Sequence, residues 1–202
     1  MVSKKRISVI LAHPDKRSFN NAIALKVIQV LKRNNYHIFY HDLYQEKFDP
    51  VLTKQEISEK GSVPDHIMIY CKEIKESDGI VIIHPNWWGQ PPAILKGWID
   101  RVMRPGIAYK FKEGDSGDGI PVGLLKAEIG IVLNTSNTPE GRELHIFKDP
   151  LEVLWGKCIF ELCGVKIFYR KMYCCIITST PEQRKEWLSD VESMIHQYFP
   201  EM

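Results

Sequence analysis

The order of hydrophobic segments predicts an α/β protein: a parallel sheet with helices on both faces. Five apolar runs of strand length, at 7–12, 36–43, 78–83, 128–134 and 165–177, alternate with stretches whose apolar residues recur at helical spacing. The loops that leave the first, third and fourth runs all lie at strand carboxyl ends. They therefore converge on one edge of the sheet, the edge where open α/β sheets bind ligands.

The remaining composition narrows the class. With 202 residues, 44% of them hydrophobic, the chain can bury a full core. It contains no repeat, low-complexity tract or linker, so one domain over 1–202 is expected. A net charge of +2, from 27 basic and 25 acidic residues, gives no argument for nucleic acid or a membrane surface. Five cysteines (Cys71, Cys158, Cys163, Cys174 and Cys175) form no CxxC pair, so they read as reduced, small hydrophobic residues rather than zinc ligands or a redox motif. Cys174 and Cys175 fall in a strand-like run, which would point them to opposite faces. The apolar run after the basic N-terminus is cut short by His13-Pro14-Asp15. No segment reaches the ~18 apolar residues of a spanning helix, so a cytoplasmic protein without membrane insertion is expected.

The first strand, ISVILA at 7–12, is apolar nearly throughout and so central. HPDKRSFN follows as a loop, and a helix begins near Phe19 with Ala22, Leu25, Ile28, Val30 and Leu31 as its buried stripe. Ser18 suits its N-cap. A strand, a loop and a helix N-terminus make an anion site by geometry. A phosphate there would meet the N–H groups of Phe19 and Asn20, the Ser18 hydroxyl, and His13 or Arg17. The same residues also fit a solvated loop histidine and an ordinary cap, and neither the dinucleotide fingerprint nor a P-loop is present.

YHIFYHDL at 36–43 alternates as a strand at or beside an edge. A helix over 64–76 follows, with Ile67, Ile69, Tyr70 and Ile74 partly buried. The third strand, 78–83, runs into HPNWWGQPP, a turn kept out of helical geometry by Pro85, Pro91 and Pro92. After Pro92 helical spacing resumes in AILKGWIDRVM, through Ile94, Leu95, Trp98, Ile99 and Val102. Trp87 and Trp88 would wall the crevice, with the backbone N–H groups of Asn86 to Gly89 beside them. That wall suits a flat, aromatic, hydrogen-bonding ligand; two tryptophans that merely pack are the plain alternative.

Residues 104–126 are dominated by glycine, aspartate and proline and read as one long loop, carrying Tyr109 and Phe111. The fourth strand, 128–134, ends in the turn TSNTPEGREL, where Asn134, Thr135, Ser136 and Asn137 offer hydrogen bonds. A helix over 149–162 with Pro150 at its start, a fifth strand and a terminal amphipathic helix over 181–199, capped by Thr178-Ser179-Thr180, complete the chain.

PNWWGQPPAILKGWIDRV resembles the signature of the NAD(P)H:quinone oxidoreductase family, flavodoxin-like flavoenzymes, and the likeness extends over nearly the whole chain. It includes the H-x4-S-F-N run at His13, Ser18, Phe19 and Asn20, together with Asp42-Leu43-Tyr44 and Phe48-Asp49-Pro50. The resemblance implies a doubly wound five-stranded parallel sheet of order 2-1-3-4-5. It also implies a flavin, FMN with FAD as the alternative, and NAD(P)H as cosubstrate. The flavin phosphate would sit at His13, Arg17, Ser18, Phe19 and Asn20, and its ring along Pro85 to Gly89 and Asn134 to Asn137.

Trp88, Tyr109 and Phe111 would roof the substrate pocket, near a subunit boundary in a homodimer. The family often has two glycines in the fourth-strand loop, then a tyrosine and a histidine near the flavin. Here Ser136-Asn137, Arg142 and Lys148 stand in those places. The candidate catalytic residues are therefore His145, close by in sequence, and Tyr109.

The implied activity is ping-pong hydride transfer from NAD(P)H to flavin N5 and on to a quinone or similar acceptor. A flavodoxin-like electron carrier, or a regulatory subunit of a membrane transporter, is the alternative. Carriers tend to be acidic, and this chain is slightly basic.

Overall fold

The computed structural model describes residues 4–58, 60–115 and 119–202. Residues 1–3 of the basic N-terminus and 116–118 of the expected long loop lie outside the described residues.

Five strands form the main sheet: β1 (Arg6–Leu11), β2 (His37–Asp42), β3 (Gly79–Pro85), β6 (Ile129–Thr135) and β7 (Ile167–Tyr173). All pair in parallel, in the order β2-β1-β3-β6-β7. Counted among themselves, they give the expected 2-1-3-4-5. Alternation along each strand sorts the core into two layers. Ile7, Val9 and Leu11 of β1, with Val81, Ile83, Ile131 and Leu133, pack beneath α1 (Phe19–Arg33) and α6 (Pro181–Tyr198). Ile10, Ile80, Ile82 and Val132 face α2 (Asp65–Glu76), α3 (Ala93–Val102) and the helix that begins as α5 (Pro150–Val153). The three inner strands are buried over almost their whole length because both faces are covered. Among the described residues no helix is long and apolar enough to cross a membrane.

The structure revises the sequence reading in six places. The buried stripe of α1 is Ile23, Ala24, Val27, Val30 and Leu31, and Leu25 is 60% exposed. Four successive apolar residues, 22–25, let two neighbouring helical phases look alike; packing against both β1 and α6 selects the other one. In α2, Cys71 joins Ile67 and Ile74 inside, while Ile69 faces out.

The third revision concerns the stretch 104–126. It is no simple loop but carries a two-stranded antiparallel hairpin, β4 (Tyr109–Lys110) and β5 (Val122–Gly123). Bonds from Leu124 N–H to Ala108 O and from Leu125 N–H to Cys163 O dock it. Gly123 lies against the Cys163–Gly164 backbone, where a Cβ would come within 2.2 Å of Gly164 N.

The turn after β6 contains a short helix, α4 (Glu140–His145). Beyond Val153 the fifth helix continues as a π-helix, Leu154–Glu161. Last, β7 ends at Tyr173, and Cys175 adopts a left-handed φ of 59°, so the two vicinal cysteines are not strand residues.

Candidate active site

The chain leaves β1 for β2 on one side and returns through β3 on the other, which opens a crevice above the carboxyl ends of β1 and β3. The three loops foreseen at this edge meet there. Asn86 N–H donates to Thr135 O at 2.6 Å, tying the β3 loop to the end of β6. The Asn20 side-chain amide donates to Thr135 Oγ1 at 2.8 Å, tying the start of α1 to the same residue. The result is a cleft of two adjoining lobes that share Asn86, Trp88 and Thr138.

The first lobe, of about 500 Å³, is lined by His13, Asp15, Arg17, Ser18, Phe19, Asn20, Pro85, Asn86, Trp87, Trp88, Thr135, Ser136, Asn137, Thr138, Ile176 and Arg184. Twelve of these are sequence candidates and four are additions: Asp15, Thr138, Ile176 and Arg184. Arg184 comes from the second turn of α6 and is held by Ser179 Oγ at 2.7 Å and Ile176 O at 2.9 Å. Its arrival depends on the packing of α6 beside α1, which no local pattern near His13 announces.

Ser18 caps α1 by accepting Asn21 N–H at 3.2 Å. The N–H groups of Phe19 and Asn20 have no hydrogen-bond partner among the described residues and stand at the positive end of the helix. His13 accepts Asp15 N–H at Nδ1, 3.0 Å away, which leaves its proton on Nε2. Burial pushes His13 below the ordinary imidazole value, against the opposing pull of that Asp15 hydrogen bond and of the Asp15 and Asp42 charges. It thus serves as a neutral donor. Arg17 is different: its side chain is 92% exposed, loosely held by Asp15 at 3.5 Å.

The WWG turn is tighter than the sequence reading allowed. Trp87 and Gln90 exchange both backbone hydrogen bonds at 3.0 Å, with Trp88 and Gly89 at φ 59° and 71°. This is a two-residue hairpin turn of the type that needs positive φ at both central positions. The expectation of four available N–H groups is corrected accordingly: those of Asn86 and Trp87 are used within the protein, and only those of Trp88 and Gly89 remain. The turn holds the Trp88 indole fully out in solvent, and Trp87 is partly exposed with its ring 6.2 Å from that of His13.

The second lobe, of about 570 Å³, is lined by Asn86, Trp88, Gly89, Thr138, Glu143, Phe147 and Pro150. Beneath the junction lie two buried acceptors without a partner among the described residues, Asn20 Oδ1 and Asn86 Oδ1. Asn134 is buried below the floor and does not line the cleft; its Oδ1 accepts Arg170 Nη1 at 2.9 Å. His84, which the sequence reading passed over, is also sealed beneath. It takes Trp155 Nε1–H on Nε2 at 3.0 Å and donates from Nδ1 to Pro85 O at 2.8 Å.

Three candidates lie apart from the cleft within one chain. His145 is exposed at the end of α4. Tyr109 and Phe111 pack edge to face, 5.8 Å apart, at the hairpin, and neither lines either lobe.

Comparison with known proteins places the chain. Residues 5–193 match the family model described as a flavodoxin-like fold. A protein of Haemophilus influenzae named as an uncharacterized NAD(P)H oxidoreductase is 35% identical over 163 residues, 78% of each chain. NAD(P)H dehydrogenase [quinone] 1 of Cavia porcellus is 28% identical over 211 residues, 94% of this chain and 75% of its own. Among solved structures, an NAD(P)H:quinone oxidoreductase from Methanothermobacter marburgensis superposes with a TM-score of 0.83 at 21% identity, covering 97% of this chain and 98% of that one. An FMN-dependent NADH-azoreductase from Bacillus anthracis, solved with FMN, gives 0.77 at 18% identity, covering 96% and 99%. The parallel sheet, the cleft at its carboxyl edge and these relatives agree: the chain belongs to the flavodoxin-like family, among the NAD(P)H:quinone oxidoreductases.

Proposed function

We propose that the protein is a flavin-dependent NAD(P)H:quinone oxidoreductase that works by a ping-pong mechanism. The observation that carries this reading is the pairing, in one cleft, of an anion-ready helix end with a polar-rimmed slot beside Trp87 and Trp88. The free N–H groups of Phe19 and Asn20, the His13 Nε2–H and the Arg184 guanidinium suit a flavin phosphate. Ser18 fixes the helix end, and Arg17 adds charge at the mouth. The unpartnered Oδ1 atoms of Asn20 and Asn86 suit N–H or hydroxyl donors of a bound guest.

The chemistry a flavin supplies here is acceptance and onward transfer of hydride. The protein's share is to bind, orient and tune it. Pro85 to Gly89 and Thr135 to Asn137 would hold the ring, with Asn134 supporting the second segment from below. The N–H groups of Trp88 and Gly89 would favour negative charge on such a ring, much as an oxyanion hole does. FMN is preferred to FAD because the azoreductase neighbour was solved with FMN.

Two further features belong to this reading. Trp88 is fully exposed, and the aromatics Tyr109 and Phe111 lie away from their own cleft, so a homodimer in which they roof the partner's pocket is proposed. A cytoplasmic setting suits the five free cysteines. His145, exposed on α4, is carried forward as a candidate only in such a dimer.

A single cleft used in turn by NAD(P)H and then the acceptor gives parallel double-reciprocal plots when both concentrations are varied. Intersecting plots would require both substrates to be bound together and would contradict the mechanism. An electron carrier would show no steady-state turnover with a quinone.

A further inference from the structure

The second lobe holds one titratable side chain that the reading above does not use. Glu143, in α4, is 2% exposed yet lines the lobe beside Trp88, Phe147 and Pro150. Its Oε1 accepts the Ser136 hydroxyl proton at 2.8 Å, and Ser136 Oγ in turn accepts Thr138 N–H at 2.9 Å. The Thr138 amide occupies the hydroxyl's lone pair and so aims its proton at the carboxyl group.

No cation pairs with Glu143 among the described residues. The buried guanidinium of Arg170 is committed to Asp149 and Glu152. Other titratable groups around Glu143 are Glu140 on its own helix, Asp149 at the start of α5, and Cys174 beyond β7. The Cys174 thiol is pushed up to about 11, mainly by burial, and stays neutral. A carboxyl group withdrawn from water with a single hydroxyl partner is costly to keep. Arg142 and Lys148, which stand where the family resemblance puts a tyrosine and a histidine, are both exposed and line neither lobe.

We propose that Glu143 is the acid–base residue of the acceptor step, with Ser136 as its positioning residue. The inference rests on the proposed function. Reduction of a quinone to a hydroquinone takes one hydride, which carries both electrons, and one proton. The hydride originates from NAD(P)H by way of the reduced flavin. The proton comes from Glu143: its carboxyl O–H bond breaks as the O–H bond on the acceptor oxygen forms, and the carboxylate regains a proton from water.

The test separates the half-reactions in wild-type protein and Glu143→Gln by rapid mixing. The expected result is that reduction by NAD(P)H keeps the wild-type rate. Oxidation by a quinone slows about a hundredfold and loses its decline at high pH. Oxidation by ferricyanide, which takes electrons without a proton, is unchanged. Glu143→Asp regains part of the quinone rate. In flavin-free protein, binding of 2-naphthol, followed by tryptophan fluorescence, weakens about fivefold in Glu143→Leu, which removes the hydrogen-bond partner of the naphthol hydroxyl.

Equal slowing with quinone and ferricyanide, or an unchanged pH profile, overturns the proposal. If Glu143→Gln does not fold, Ser136→Ala must shift the same high-pH limb, and an unshifted limb overturns it equally. Protein that takes up no flavin at all defeats the functional reading itself, an outcome distinct from these.

Discussion

At the scale of single residues, His84 shows how the cleft floor is fixed. Complete burial depresses its pKa to about 4, with the nearby Arg170 charge also lowering it and the Pro85 hydrogen bond opposing. In the unfolded chain the imidazole takes a proton near 6.5. Because the folded value is the lower one, the stabilisation is complete above 6.5 and is lost as pH falls from there towards 4. The loss amounts to roughly 3 kcal/mol at ~1.4 kcal/mol per pH unit. Denaturant titrations across that window should show wild type losing stability more steeply than His84→Gln. Parallel curves for the two proteins would mean that His84 does not carry this dependence.

The sequence showed His84 only as the first letter of HPNWWGQPP. Its partner Trp155 lies 71 positions away, and such a pairing has no local signature. The residues of the H-x4-S-F-N run were legible because the physics there is local: a cap, a helix end and free N–H groups within a few positions. Arg184 was not, because it reaches the cleft on α6, packed beside α1 from the far end of the chain; Glu143 was not, because its burial depends on the short α4 folding back onto Ser136 within the turn after β6.

At the scale of elements, the strands were the most readable. Parallel strands covered on both faces need unbroken apolar runs, and 7–12, 78–83 and 128–134 fall within a residue or two of β1, β3 and β6. Helix phase and irregular segments were less so. Charged, six-residue α4 gives too short a period to see. The π-helical Leu154–Glu161 keeps an apolar character that a regular helix shares.

The WWG turn is the element on which the cleft depends most. Gly89 has φ 71°, and a Cβ there would lie 2.9 Å from Pro150 Cγ at the start of α5. Gly89→Val therefore combines backbone strain with a clash. It should cost about 1–3 kcal/mol, read as a lowered Tm, and should also weaken flavin binding by displacing Trp88. An unaltered Tm with unaltered flavin affinity would show the turn to be more tolerant than its geometry indicates.

At the scale of the whole molecule, the placement of Tyr109 and Phe111 away from their own cleft bears on assembly. If two chains complete each other's pockets, sedimentation should give a dimer. Mixing a Tyr109→Ala, Phe111→Ala chain with a chain disabled at Ser18 should restore pockets that carry both intact halves. A monomer with full activity would remove the proposed roof.

The account as a whole stands on the cleft's holding a flavin that NAD(P)H can reduce. The most direct measurement is an anaerobic titration of the flavin-loaded protein with NADPH or NADH, followed at the flavin's visible band. The predicted result is bleaching that is complete at about one equivalent per subunit, since one hydride carries the two electrons a flavin accepts. A protein that takes up neither FMN nor FAD, or a bound flavin whose band neither nucleotide alters, would contradict it.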